Sequence, residues 1–258
     1  MVDKAYVLYS IAYQPFKRMR KIVNKPQLKP LVFYGLLLIP TVFLCCDQNL
    51  EKNSIFFVVI LAMLLTSVIE FPILTVRTKK PDYSESEARC IGEIYGVPIA
   101  EELHADAEKR YKTRIMLNMG GFIIPLLFSL YLLLFFDQME SYPLPLLEVT
   151  MATLLMTLIS YMLAEVKGGV GIIVPNYAGL FAIPLGLILA PQGLPLEIIA
   201  KVLIFVPAIF GILLGILITL VTLPREEVGS AFFNIGGIGS FYTLYLISFL
   251  ALVIGSIA

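Results

Sequence analysis

The sequence has no tryptophan, one histidine and three cysteines among its 258 residues. His104 alone cannot furnish an HExxH zinc helix or a serine–histidine pair, so no metal site is expected and two common hydrolytic designs are excluded. Cys45, Cys46 and Cys90 form no CxxC, and any pairing leaves one thiol over, which argues against zinc and disulfide frameworks. Charge is scarce as well. Charged residues are 15% of the chain, where about 25% is usual for a soluble domain. The 19 bases equal the 19 acids, so there is no positive surplus to release counterions from a nucleic-acid backbone. No P-loop occurs, and the glycine pairs do not follow a strand-like run, so no nucleotide or other cofactor is indicated. Intramembrane aspartyl chemistry needs two facing aspartates, yet Asp3, Asp47, Asp82, Asp106 and Asp137 all fall in polar connections.

What the chain has in quantity is oil. Hydrophobic residues make up 59%, well above the roughly 45–50% of ordinary soluble domains. Seven apolar windows, 31–46, 55–76, 115–136, 149–164, 170–190, 198–223 and 231–257, reach or approach the roughly 20 residues needed to span a bilayer. The first and fourth are short. The expected fold class is therefore all-α: a polytopic membrane protein of about seven helices, partnered by the lipid bilayer.

Basic residues orient such a bundle, because Lys and Arg are retained on the cytoplasmic side. Lys4, Lys17, Arg18, Arg20, Lys21, Lys25 and Lys29 precede the first window. Arg77, Lys79, Lys80, Arg89, Lys109, Arg110, Lys112 and Arg114 lie between the second and third. Both groups belong inside, so an even number of crossings separates them. The N-terminus is then cytoplasmic and the C-terminus outside. Asp47, Glu51, Asp137, Glu140, Glu148 and Glu197 all fall outside, with only Lys52 and Lys201 among them.

Residues 1–30 read as a basic and aromatic cytoplasmic segment. Tyr6 to Phe16 is followed by Lys17 to Lys29, the reverse of a cleavable signal. It suits either an interfacial helix or a solvated lead-in. Residues 31–258 form one membrane domain with a cytoplasmic helical loop, 77–114. In that loop Ser84 and Glu87 have capping-box spacing, predicting a short helix. Gly96-Val97-Pro98 ends it, and a second helix from about Ile99 is expected to continue into the third window.

Windows three, five and seven each contain a glycine cluster near the cytoplasmic start: Gly120 and Gly121; Gly168, Gly169 and Gly171; and Gly236, Gly237 and Gly239. Pro125 and Pro175 follow two of them. Such clusters allow close helix packing, helped by Gly211-x-x-x-Gly215, or break helices around a polar cavity. Asn118, Asn176 and Asn234 sit within these clusters and could line that cavity. Glu70 is the acid placed well inside a window. A carboxylate in hydrocarbon costs roughly 2.5–3.5 kcal/mol on insertion scales, so it needs a partner, a proton or water. Shallow placement near water or Arg77 is the plain alternative.

Several of these stretches together resemble an uncharacterised family of prokaryotic multi-pass membrane proteins, domain of unknown function 1614. The matching residues are Asn118-Met-Gly-Gly-Phe-Ile-Ile-Pro125 with Ser129-Leu-Tyr-Leu-Leu133, Gly169-Val-Gly-Ile-Ile-Val-Pro175 and Ile235-Gly-Gly-Ile-Gly-Ser-Phe241. The resemblance implies a helical membrane fold, prokaryotic cell-membrane placement and no established activity. Leu217 and Tyr242 stand where that family's pattern carries acids. The leading expectation is a transporter-like or small-molecule-binding protein acting on a small solute or proton. The alternatives are a relative of an intramembrane enzyme that lacks the acidic pair, or a scaffold working through loop 77–114.

Overall fold

A computed structural model describes residues 28–46, 50–77, 84–95, 112–136, 142–167, 171–223 and 232–257. The N-terminal segment and most of loop 77–114, including the helix expected from Ile99, lie outside these residues, as do Gly168 and Gly169.

The described residues form eight helices and five strands. The helices are α1 (Leu28–Cys46), α2 (Leu50–Thr66), α3 (Glu85–Tyr95), α4 (Met119–Leu134), α5 (Leu146–Leu163), α6 (Asn176–Leu189), α7 (Leu196–Thr222) and α8 (Phe241–Ile257). Two, α5 and α7, are long and apolar enough to cross a membrane; α2, α4, α6 and α8 are shorter apolar helices. Between them run β1 (Glu70–Arg77), β2 (Lys112–Asn118), β3 (Glu165–Lys167), β4 (Gly171–Ile173) and β5 (Phe232–Ile235).

The strands correct the all-α expectation. Four of the seven windows are part strand: 55–76 ends in β1, and 115–136, 170–190 and 231–257 begin in β2, β4 and β5. Hydropathy alone cannot separate a short apolar strand from a buried helix. β1, β2, β4 and β5 contain Ile, Val, Phe or Thr, and Gly or Asn stands at an end of β2, β4 and β5, which favours extended backbone over helix. Two further expectations fall with this one. The residues entering the third window are a strand, so no helix continues into it from the loop. Gly120-Gly121 and Gly236-Gly237 do follow strands.

The sheet order is β1-β2-β5-β4-β3. β5 is central and parallel to both β2 and β4, while β1 and β3 are antiparallel outer strands. β1 tolerates Pro72 because it is an edge strand, and its ladder slips between Pro72 and Leu74. Since β1 and β3 leave helix C-termini and β2, β4 and β5 enter helix N-termini, the whole sheet lies at one end of the helices.

The core is built around α7, of whose apolar window 78% is buried. A π-helical stretch, Ile199–Phe205, turns successive residues of α7 into the interior, and Val202 to Ile209 are all buried. Phe205 packs edge-to-face against Phe56 of α2 and Phe128 of α4, with ring centroids 4.9 and 5.5 Å away. Gly215 lets α5 approach, since a Cβ there would stand 2.6 Å from the Ser160 Cβ. α5 contrasts sharply: only 22% of its window is buried.

Candidate functional site

The ladder registers bring three polar residues to one face of the sheet. Glu70 opens β1 opposite Asn118, the last residue of β2, and Asn234 on β5 stands opposite Met116. Cross-strand partners share a face, as do residues two apart on a strand. Glu70, Asn118 and Asn234 therefore project together, around Met116. All three are buried, Glu70 at 2% exposure.

Asn118 serves the backbone. Its Nδ2 donates to the Ser67 carbonyl at 2.5 Å, and its Oδ1 accepts from the Gly121 amide at 2.8 Å. It thus caps the π turn Met119–Ile123 that opens α4 and ties that turn to the end of α2. The Met119 amide adds a bond to the Ile69 carbonyl at 2.8 Å. Gly120 fits beneath because a Cβ would strike the Met63 carbonyl and come within 2.8 Å of the Ser67 amide. Pro125 lies in the first turn of the regular part of α4, where its missing N–H costs nothing.

Asn234 serves Glu70. Its Nδ2 donates to Glu70 Oε1, joining residues 164 apart in sequence. Its Oδ1 is buried with no hydrogen-bond partner among the described residues, and so is the Ser240 hydroxyl. The carboxamide lies over Gly237, where any Cβ would collide with it. Gly236 has φ +74, a left-handed turn that suits glycine, and packs on Gly121. The two Asn-x-Gly-Gly stretches are therefore adjacent parallel strand-to-helix turns in backbone contact. On the far side, Gly239 presses on Ile172 of β4 and its carbonyl accepts from the Val174 amide at 2.8 Å. Gly171, at φ +98, lies against the Asn234 amide.

The sequence expectations divide accordingly. Glu70, Asn118 and Asn234 come together, although Glu70 stands on a strand rather than within a helix. Asn176 is exposed at the start of α6 and takes no part in the described hydrogen bonds of this set, and Pro175 precedes that turn. One participant is not legible in the sequence. Ser67 acts through its carbonyl, which carries no side-chain signal. Among the described residues no group of three or more His, Cys, Asp or Glu could hold a metal ion.

The fold and site thus define a mostly helical chain in which a small mixed sheet holds a buried acid–carboxamide pair at the end of an apolar bundle. The profile of the family described as "Protein of unknown function (DUF1614)" matches residues 64–254, which include all five strands and the pair. The chain belongs to that family. No protein of curated function and no solved structure matches it.

Proposed function

We propose that the chain is a multi-pass protein of the prokaryotic cell membrane that binds and passes a proton or small solute at the Glu70–Asn234 site. In this reading the chain crosses seven times, with its N-terminus cytoplasmic and its C-terminus outside. The exposed surface of α5 supports the membrane setting. Leu146, Leu147, Met151, Leu154, Leu155, Leu158, Tyr161 and Met162 are all exposed on that helix. Leaving so many large apolar side chains in water would forfeit on the order of 10 kcal/mol, as much as the whole stability of a typical domain. Lipid removes the penalty.

Orientation follows from charge. The sheet-end connections carry Arg77 through Arg114, Lys167 and Arg225, while Glu148 and Glu197 lie at the opposite end. The sheet then sits at the cytoplasmic surface, at headgroup level, because strand edges are not tolerated in the hydrocarbon region. The single observation carrying the functional reading is the Glu70 carboxyl, buried where helices meet sheet and held by a carboxamide from a distant strand. An acid withdrawn from water at the inner end of an apolar bundle supports an ion or proton path that begins there.

The test is flux. In proteoliposomes of the purified full chain, an imposed pH gradient should decay faster than in protein-free vesicles, and Glu70→Gln should remove most of the excess rate. Decay that matches empty vesicles, or that survives Glu70→Gln unchanged, would remove proton passage through Glu70.

A further inference from the structure

We infer that the end of the bundle opposite the sheet carries a binding site for a small organic cation, a solute that joins an ammonium group to an apolar body. The site is a cavity of about 490 Å³ between the start of α5 and the turn that links α6 to α7. Small-molecule sites usually enclose roughly 300–1,000 Å³. Glu70 and Asn234 belong to the sheet at the other end, so this site stands or falls independently of them.

Proline shapes the walls. Pro143, Pro145 and Pro191 line the cavity, each with φ fixed by its ring. The Leu146 amide closes on the Leu144 carbonyl at 2.8 Å, and the Leu194 amide on the Pro191 carbonyl at 3.4 Å. Backbone held in this way is in place before a ligand arrives, which lowers the ordering cost of binding. Gly193, at φ +84, turns the second wall, and a Cβ there would meet nothing within 4 Å. Pro191, Gln192 and Gly193 are all exposed, so the cavity opens towards the water beyond the helix ends.

The lining selects the ligand. Leucine and proline give it a wall that is mostly carbon, and Glu148 is its charged residue. Such a wall suits an apolar body and lacks the full oxygen shell that a bare metal ion requires. Glu148 is half-buried, and among the described residues no hydrogen bond or ion pair engages it. Lys201, the base of α7, is already bonded to Glu197 at 2.5 Å. A partly desolvated carboxylate with no partner attracts a cation and repels an anion. The exposed Tyr142 ring, in contact with no other ring among the described residues, offers its π face to the same cation. Charge in the sequence has the same sign: residues 137–141, which lead into this wall, include Asp137 and Glu140 and no base.

The test is calorimetric titration of the purified full chain in dodecyl maltoside micelles with benzyltrimethylammonium. Benzoate and benzyl alcohol serve as the anionic and neutral comparisons. The expected result is saturable binding of the cation alone. Glu148→Gln should weaken it about tenfold, and Tyr142→Ala about threefold. No saturable binding of benzyltrimethylammonium, equal binding of benzoate, or Glu148→Gln binding as tightly as the wild type would overturn the inference. So would displacement of the probe by added phosphatidylethanolamine, which would give the cavity to a lipid headgroup instead of a solute. Should Glu148→Gln not fold, the loss in Tyr142→Ala and the choice of cation over benzoate decide alone. Proton flux through Glu70 is not read by this titration, so failure of either leaves the other standing.

Discussion

Asn118 and Asn234 occupy similar Asn-x-Gly-Gly contexts and do opposite work. Asn118 spends both ends of its carboxamide on backbone groups, so its substitution should be a stability defect. Asn118→Ala strands the Ser67 carbonyl and the Gly121 amide, and should cost about 1–3 kcal/mol in denaturant or thermal unfolding in detergent. Its effect on flux per folded molecule should be small. Asn234→Ala should show the reverse balance. Gly237→Ala should copy Asn234→Ala, because its new methyl occupies the place of the carboxamide. If Gly237→Ala kept wild-type flux and melting, the close approach would carry no weight. From sequence, Glu70, Asn118 and Asn234 were conspicuous as polar residues in apolar runs. Their division of labour was not, because it depends on register: only the ladder places Glu70 opposite Asn118 and within reach of Asn234.

At the scale of elements, legibility followed length. α7 is a long continuous apolar run and was expected as one, whereas the window for α5, 149–164, read as short because its first turn from Leu146 was left out. The strands were hidden because Glu70–Arg77 and Phe232–Ile235 are short, apolar and joined to apolar helices without a polar break. Ile73, Thr75 and Val76 in the first and the Gly236 turn after the second were the available signals, but hydropathy outweighed them. The capping box was fully legible, since its chemistry is local. Ser84 and Glu87 bond reciprocally, with the Ser84 amide 2.7 Å from the Glu87 carboxylate and the Glu87 amide 3.3 Å from the Ser84 hydroxyl. The Ser84 amide first, and then the Ser84 hydroxyl, which donates to the same carboxylate at 3.0 Å, lower the Glu87 pKa. A lowered acid gives stability that is present above its unfolded value, about 4.3, and is lost as pH falls through the folded one. α3 should thus loosen on acidification, seen as faster amide exchange over 85–95, and Glu87→Gln should abolish that pH dependence. Between α5 and α7, Gly215→Leu should force the helices apart at Ser160 and cost about 1–3 kcal/mol or more. Wild-type unfolding in that variant would show that the helices do not need this contact.

For the whole molecule, the apolar excess and the asymmetry of charge were enough to suggest a topology, whereas the sheet closing one end of the helices was invisible until distant segments were paired. In the proposed orientation this sheet end faces the cytoplasm and the opposite end of the bundle faces out. Two exposed positions mark the two ends: Cys90 on α3, and Gln192 in the turn between α6 and α7. With Cys45 and Cys46 changed to serine, each position can be probed in intact cells with a membrane-impermeant thiol reagent, using native Cys90 alone or Gln192→Cys in a Cys90→Ser background. In that orientation Gln192→Cys should label in intact cells and Cys90 only after the membrane is opened. Labelling of both from the same side would contradict it.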